Sequence, residues 1–297
     1  MKIDPFVLSA LREELEDRGI KPNKRLGQNF LIDRNVALNI VRISEVGSDD
    51  TVVEIGCGAG ALTSIVLTNA GFLLGYEVDR KLCEFLFWNF ADYPRTAFLH
   101  KDFTEADVPT DLGRFGQSPP VKIISNLPYY ISSQVITKLA MECYWESCTL
   151  MVQKEVAERL MARPCTRVYG SLTVLLQYCC KVEQAAVVSP SVFYPKPEVF
   201  SAVLRIFPRK LEADVTPAEL SRVVRGAFGQ RRKSIWNSLS GTLGIDKDTV
   251  YSILASIGIQ AERRAESLSL EEFVNLARAF RYIPSRQGGF QAGNGGK

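Results

Sequence analysis

From Thr51 onward, short apolar runs alternate with segments whose apolar residues recur every three or four positions, the two periods of a buried strand and a half-buried helix. The pattern predicts strands at Thr51–Ile55, Phe72–Val78, Ala97–His100, Val121–Ser125 and Thr149–Val152. Helices are predicted near Ala61–Ala70, Arg80–Phe90 and Ser132–Met141, and between Lys154 and Tyr178. Strands separated by helices imply parallel βαβ units, so the expected fold class is α/β with a doubly wound, mostly parallel sheet. Two further strands, Glu183–Val188 and Ser201–Phe207, lie only a loop apart, a connection too short for a parallel crossover and suited to an antiparallel pair at the sheet edge. After Pro208 the pattern is helical throughout, near Pro217–Phe228, Ser234–Leu239, Lys247–Ile257 and Leu270–Phe280. A small all-helical C-terminal domain follows from that change.

Ahead of the alternating core, Asp4 and Pro5 read as the start of a helix carrying Val7, Leu8, Leu11 and Leu15, closed by Gly19. Lys21–Asn29 leads through Phe30 and Leu31 to Asp33, a cap for a second helix bearing Val36, Ile40 and Val41. The expected organisation is an N-terminal helical extension over 1–20, a main domain over 21–208, a helical domain over 209–284 and a disordered, glycine-rich tail over 285–297.

Composition narrows the class by exclusion. Hydrophobic residues make up 46% and charged residues 23% of 297 residues, the proportions of an ordinary globular protein. No apolar run approaches the roughly 20 residues that span a bilayer, and the charged N-terminus lacks a signal-peptide core. No membrane association and a cytoplasmic location are therefore expected. The seven cysteines form no C-x-x-C pair and are expected to be reduced and structural, with no metal site. His100 has no histidine partner and reads as a strand residue. Net charge is only +3, but Lys196 to Lys233 holds nine basic residues against four acidic ones. The stretch from Arg222 through Arg225, Arg231 and Arg232 to Lys233 contains no acid at all, which suits either a solvated helix face or a phosphate-contacting surface.

The chemistry collects at predicted strand ends. Glu54-Ile55-Gly56-Cys57-Gly58-Ala59-Gly60 is a glycine-rich turn between a strand and a helix, where missing side chains let a ligand approach the backbone. Gly56-x-Gly58-x-x-Ala61 also satisfies the dinucleotide fingerprint. On this motif alone, methyltransferase, dinucleotide-binding enzyme and purely structural turn all stay open. Glu77 ends the second strand, where a carboxylate can accept both hydroxyls of a ribose. Asp102 follows the third strand and suits an adenine amino group. Asn126-Leu127-Pro128-Tyr129 ends the fourth. An asparagine oxygen and the Leu127 carbonyl can accept the two N–H bonds of an exocyclic amine, favouring a pyramidal nitrogen with its lone pair exposed. Pro128 holds the turn, and Tyr129 offers a face for stacking an extruded base. No role follows for Tyr130.

With these motifs in order, the chain resembles the small-subunit (16S) ribosomal RNA adenine dimethyltransferase family over about Lys24 to Phe280. The resemblance rests on Lys24-Arg25-Leu26-Gly27-Gln28-Asn29-Phe30-Leu31, the Glu54–Gly60 turn, Glu77-Val78-Asp79, Asn126–Tyr130, Phe193-Tyr194-Pro195-Lys196-Pro197 and Ser201-Ala202-Val203. It implies a Rossmann-like class I methyltransferase fold with S-adenosylmethionine as methyl donor, bound by Asn29, Leu31, Gly56, Glu77, Asp102 and Asn126. It implies a catalytic group of Asn126, Leu127, Tyr129 and Phe193, with Tyr129 and Phe193 sandwiching the target adenine; on the residues alone Phe193 reads as a core aromatic. The implied partner is 16S ribosomal RNA within an immature small ribosomal subunit, held by the basic residues of the helical RNA-binding domain, and a monomeric protein is expected. Lys101 departs from the family, which commonly has glycine before the acid matched by Asp102. The alternatives are a large-subunit ribosomal RNA adenine methylase of the macrolide-resistance type and a non-catalytic assembly or transcription factor that keeps the fold.

Overall fold

The computed structural model describes residues 1–23, 27–128, 130–142, 144–211 and 214–283. The helices are α1 (Leu8–Asp17), α2 (Arg34–Ser44), α3 (Ala61–Val66), α4 (Arg80–Asn89), α5 (Val108–Gly113), α6 (Ser132–Met141), α7 (Lys154–Leu160), α8 (Ser171–Cys179), α9 (Pro217–Phe228), α10 (Ile235–Leu243), α11 (Lys247–Ser256) and α12 (Leu270–Phe280). The strands are β1 (Phe30–Leu31), β2 (Thr51–Ile55), β3 (Phe72–Glu77), β4 (Thr96–His100), β5 (Val121–Asn126), β6 (Trp145–Gln153), β7 (Cys180–Val188), β8 (Phe193–Tyr194) and β9 (Ser201–Pro208). The expected tail over 285–297 lies outside the described residues.

Seven strands form one sheet in the order β4-β3-β2-β5-β6-β9-β7. β2 pairs in parallel with β3 on one side and β5 on the other, and the parallel set runs from β4 to β6. β9 pairs antiparallel with both β6 and β7. The expected closing pair is present, with β9 inserted between β6 and the edge strand β7. The chain winds outward from β2 through β3 to β4, then returns to build β5 and β6 on the opposite side of β2. The order reverses between β2 and β5, and ligands of such sheets bind outside the carboxyl ends at that point. A separate two-stranded ladder, absent from the sequence pattern, joins β1 to β8 with Phe30 opposite Tyr194 and Leu31 opposite Phe193.

The chain divides into two compact units, Met1–Met161 with Cys180–Arg209, and Ala162–Cys179 with the chain from Lys210 on. Two expectations change as a result. First, α8 belongs to the helical unit, although the alternating pattern assigned it to the main domain. Its buried residues Leu172, Val174, Leu175 and Leu176 sit on a helix packed against α9, and the Tyr178 hydroxyl donates to the Val215 carbonyl at 2.5 Å. Secondly, the N-terminal segment is part of the sheet-containing unit. Its helix starts at Leu8, three residues beyond Pro5, because Asp4 instead accepts the Phe6 amide at 3.0 Å and the Arg34 guanidinium at 2.5 Å. Leu11, Leu15 and Ile20 are buried in one cluster with Phe30, Ala59, Leu82 and Phe85. Farther up the chain, the buried Asn89 accepts the Lys2 and Ile3 amides at 2.9 and 2.7 Å and donates to the Ile3 carbonyl at 3.0 Å.

The helical unit is closed by reciprocal caps at Thr216 with Glu219 and Ser269 with Glu272, and by the stacked rings of Phe228 and Phe273 at 5.7 Å.

Leu11 is fully buried, so Leu11→Ala removes transfer free energy and leaves a cavity beside Phe30. A loss of about 2–5 kcal/mol in unfolding free energy is expected, measured by urea denaturation. A loss below about 1 kcal/mol would show that the N-terminal helix is an appendage after all.

Candidate functional site

The turn after β2 exists because three of its residues sit at positive φ, Gly56 at 70°, Gly58 at 55° and Gly60 at 83°. At Gly60 space is also decisive: an added Cβ would lie 2.6 Å from the Phe90 ring. The turn is tied to β3 by the Gly56 amide, which donates to the Tyr76 carbonyl at 2.8 Å. A second tie runs from the Gly58 amide to Glu77 Oε2, also at 2.8 Å. Glu77 Oε1 accepts the Asp79 amide at 3.0 Å, so backbone donors fix both carboxylate oxygens. Each oxygen keeps a further lone pair for a ligand hydroxyl.

One pocket of the first unit is lined by Asn29, Leu31, Gly56, Glu77, Asp102, Asn126 and Leu127, among others. All six residues expected to hold a cofactor thus face one cavity. Asp102 Oδ1 accepts the amide and hydroxyl of Thr104 at 2.8 and 2.7 Å, which sets its carboxylate at the head of a short 3-10 turn. Asn126 ends β5 and donates from Nδ2 to the Asn29 carbonyl at 3.1 Å. That bond orients the amide and leaves Oδ1 as its acceptor. Leu127 is buried, and its amide donates to the Met151 carbonyl at 2.9 Å. The Ser132 hydroxyl donates to the Pro128 carbonyl at 3.1 Å, carrying the turn into α6. Tyr129 lies outside the described residues, as do Lys24, Arg25 and Leu26.

The structure places Phe193 away from this pocket. Its ring is 3% exposed and packs among Leu31, Ile124, Met151 and Val203, because the β1–β8 ladder pins it opposite Leu31. It supports Leu31 from the core and does not line that pocket. Sequence reasoning also missed wall residues: Phe30, Tyr76, Val78, Phe103 and Tyr130. Tyr76 and Val78 flank Glu77 on a strand end, so their position was readable in principle; the apolar pattern classed them simply as core.

Two buried acids meet at the turn. Glu54 is 1% exposed and its Oε2 accepts the Thr63 hydroxyl at 2.7 Å. Burial, reinforced by the Glu77 charge, pushes its carboxyl up to about 8 against two opposing hydrogen bonds from Thr63. Burial also raises Glu77, while hydrogen bonds from the Asp79, Gly58 and Val78 backbone pull the other way. Glu54 is therefore a neutral acid at pH 7.

The arrangement fits a nucleoside-bearing ligand. A glycine-rich turn that lets a ligand approach the backbone, the strand-end carboxylate of Glu77 and the second carboxylate of Asp102 all face the same cavity. Among the described residues no cluster of His, Cys, Asp and Glu suits a metal ion, and no helix is long and apolar enough to cross a membrane.

In the helical unit the five basic residues diverge. Arg222 is half-buried and donates to the Phe280 carbonyl at 3.4 Å and to the Ile283 carbonyl. It closes the last helix, which corrects its assignment to a nucleic-acid surface. Arg225, Arg231, Arg232 and Lys233 are exposed, and Arg231 is steadied by the Arg167 and Tyr169 carbonyls at 3.2 and 3.0 Å.

A family model described as ribosomal RNA adenine dimethylase matches residues 19–281. "Ribosomal RNA small subunit methyltransferase A" of Clostridium botulinum is 41% identical over 261 residues, covering 86% of this chain and 93% of the relative. The protein of the same name from Lactiplantibacillus plantarum is 37% identical over 268 residues, with coverages of 88% and 90%. Among solved structures, a dimethyladenosine transferase from Plasmodium falciparum superposes with a TM-score of 0.69 at 22% identity, covering 84% of this chain and 96% of that one. The 23S rRNA methyltransferase ErmE gives 0.60 at 25% identity, with coverages of 85% and 100%.

The protonated Glu54 has a measurable consequence. Between its ordinary value of 4.5 and about 8 the unfolded chain gives up a proton that the folded chain retains, so stability falls as pH rises through that window. Glu54→Gln keeps an acceptor for Thr63 and removes the titration. The thermal midpoint of the wild type is expected to fall more steeply than that of Glu54→Gln over this range; parallel curves would contradict a neutral buried Glu54.

Proposed function

The chain belongs to the ribosomal RNA adenine dimethylase family, and on that premise we propose that it dimethylates the exocyclic amines of two adjacent adenines near the 3' end of 16S ribosomal RNA. The substrate is the RNA within an immature small ribosomal subunit. When bound, S-adenosylmethionine supplies a methyl group activated on a sulfonium. Glu77 accepts the ribose hydroxyls, Asp102 accepts the adenine amino group, the Gly56 turn admits the ligand against bare backbone, and Asn29 and Leu31 form the facing wall.

The observation that carries this reading is the orientation of Asn126, whose Nδ2 is engaged by the Asn29 carbonyl at 3.1 Å. The target amine is a weak nucleophile because its lone pair is delocalised into the adenine ring. Accepting one N–H on Asn126 Oδ1 and the other on the Leu127 carbonyl localises that pair and aims it, so orientation supplies most of the rate and no strong base is required. Tyr129 stacks on the flipped base. Arg225, Arg231, Arg232 and Lys233 contact phosphates, which position the RNA without reading its sequence.

Asn126→Ala is expected to abolish most turnover while weakening cofactor binding only in part. The test is tritiated methyl transfer to immature small subunits, with protein-free large-subunit RNA supplied in parallel. Near-normal transfer by the variant contradicts the mechanism, and preference for the large-subunit RNA contradicts the substrate.

Replacing both Arg232 and Lys233 by Ala should lower the slope of log affinity against log salt by about 1 for each phosphate no longer neutralised. Arg222→Ala should lower the thermal midpoint and leave that slope unchanged; the reverse pattern would return Arg222 to the RNA surface.

A further inference from the structure

Asp111 lies on α5, outside the pocket wall, and is 1% exposed. A buried carboxylate is costly unless cations and hydrogen-bond donors surround it. Here Oδ2 accepts the Lys101 ammonium at 2.7 Å and the Tyr76 hydroxyl at 3.1 Å. Oδ1 faces the Arg114 guanidinium at 3.4 Å.

The identity of the two Oδ2 partners is the informative part. Tyr76 immediately precedes Glu77 at the end of β3, and Lys101 immediately precedes Asp102 just beyond β4. Both partners line the pocket. The two strand ends are also joined directly, Glu77 lying opposite His100 in the ladder and the Lys101 amide donating to the Glu77 carbonyl at 3.1 Å. Backbone pairing stops there, and the Asp102 loop continues without a strand partner into the 3-10 turn at Phe103. Beyond that point the side chains hold the loop: Lys101 through Asp111, and the Phe103 ring edge-on to Tyr76 with centroids 5.5 Å apart. The lysine that departs from the family at this position thus has a partner built for it.

We propose that Asp111 is a positioning residue that fixes the distance between Glu77 and Asp102, and thereby the affinity for the adenosyl part of the cofactor. The proposal rests on the proposed function, in which those two carboxylates receive the ribose and the adenine amine. Losing the brace lets the Asp102 loop move relative to Glu77, so that one carboxylate or the other is out of register with the ligand. The cost falls on cofactor binding. Asn126 and Leu127, which orient the target amine, are untouched, and turnover at saturating cofactor is preserved.

The test is Asp111→Asn, which keeps the volume and an oxygen for Tyr76 but removes the charge that holds Lys101. Titration calorimetry with S-adenosylhomocysteine should show affinity weakened about ten-fold. The same loss is expected for 5'-methylthioadenosine, which keeps the adenosyl part and lacks the amino-acid tail. kcat at saturating S-adenosylmethionine and KM for the RNA should stay within about two-fold of the wild type. A merely structural role would lower the thermal midpoint and leave the affinity of the folded protein unchanged, and that result overturns the proposal. If Asp111→Asn does not fold, Tyr76→Phe, which removes one hydrogen bond and no charge, carries the test. A loss of about three-fold is then expected, and unchanged affinity overturns the proposal. Failure of the wild type itself to bind S-adenosylhomocysteine would instead overturn the function on which the proposal rests.

Discussion

The parallel pairing of β2 with β5 is the constraint from which the site follows. These strands are far apart in sequence and become neighbours only because the chain reverses its winding direction after β4. Val52, Val53 and Glu54 lie opposite Lys122, Ile123 and Ile124, and one residue further the Ser125 hydroxyl donates to the Ile55 carbonyl at 2.6 Å. The glycine turn and Asn126 therefore emerge side by side, so close that a Cβ on Gly56 would stand 3.3 Å from Pro128. The glycine turn and the Asn126 turn share one edge because no side chain separates them.

Charge is arranged around the same edge. Two glutamates on neighbouring strands cannot both be ionised in a buried site without a large penalty. Glu54 meets the Thr63 hydroxyl and stays neutral, whereas Glu77 meets two backbone amides and keeps the ligand-facing role. Asp111 is the third buried acid in this region, and it differs from both in having cations around it. Each acid is suited to a different task by its partners alone.

How much of this was legible in the sequence depends on how regular the signal was. Short apolar runs at Thr51–Ile55 and Phe72–Val78, with Glu77 and Asp102 at strand ends, gave the sheet and the ligand edge without structural help. β1 and β8 are two residues each and carry no period, so the ladder that sets Phe193 opposite Leu31 was invisible. Arg222 looks like any other cation in a basic run; only the return of Phe280 and Ile283 beside it shows that it closes a helix. The misassigned α8 shows the opposite error, since an alternating pattern says which residues are buried and is silent about which core they join. The RNA substrate came from resemblance across several motifs, because a net charge of +3 points to no partner.

The central claim is that this sheet edge methylates adenine in small-subunit RNA, and the most direct measurement is nucleoside mass spectrometry of that RNA. Immature small subunits lacking the modification would be incubated with the purified wild-type protein and S-adenosylmethionine, and the RNA digested and sequenced by mass. The account predicts the appearance of two adjacent dimethyladenosines near the 3' end and no other new modification. RNA that remains unmodified while the protein binds the subunit, or methylation on any base other than adenine, would contradict it.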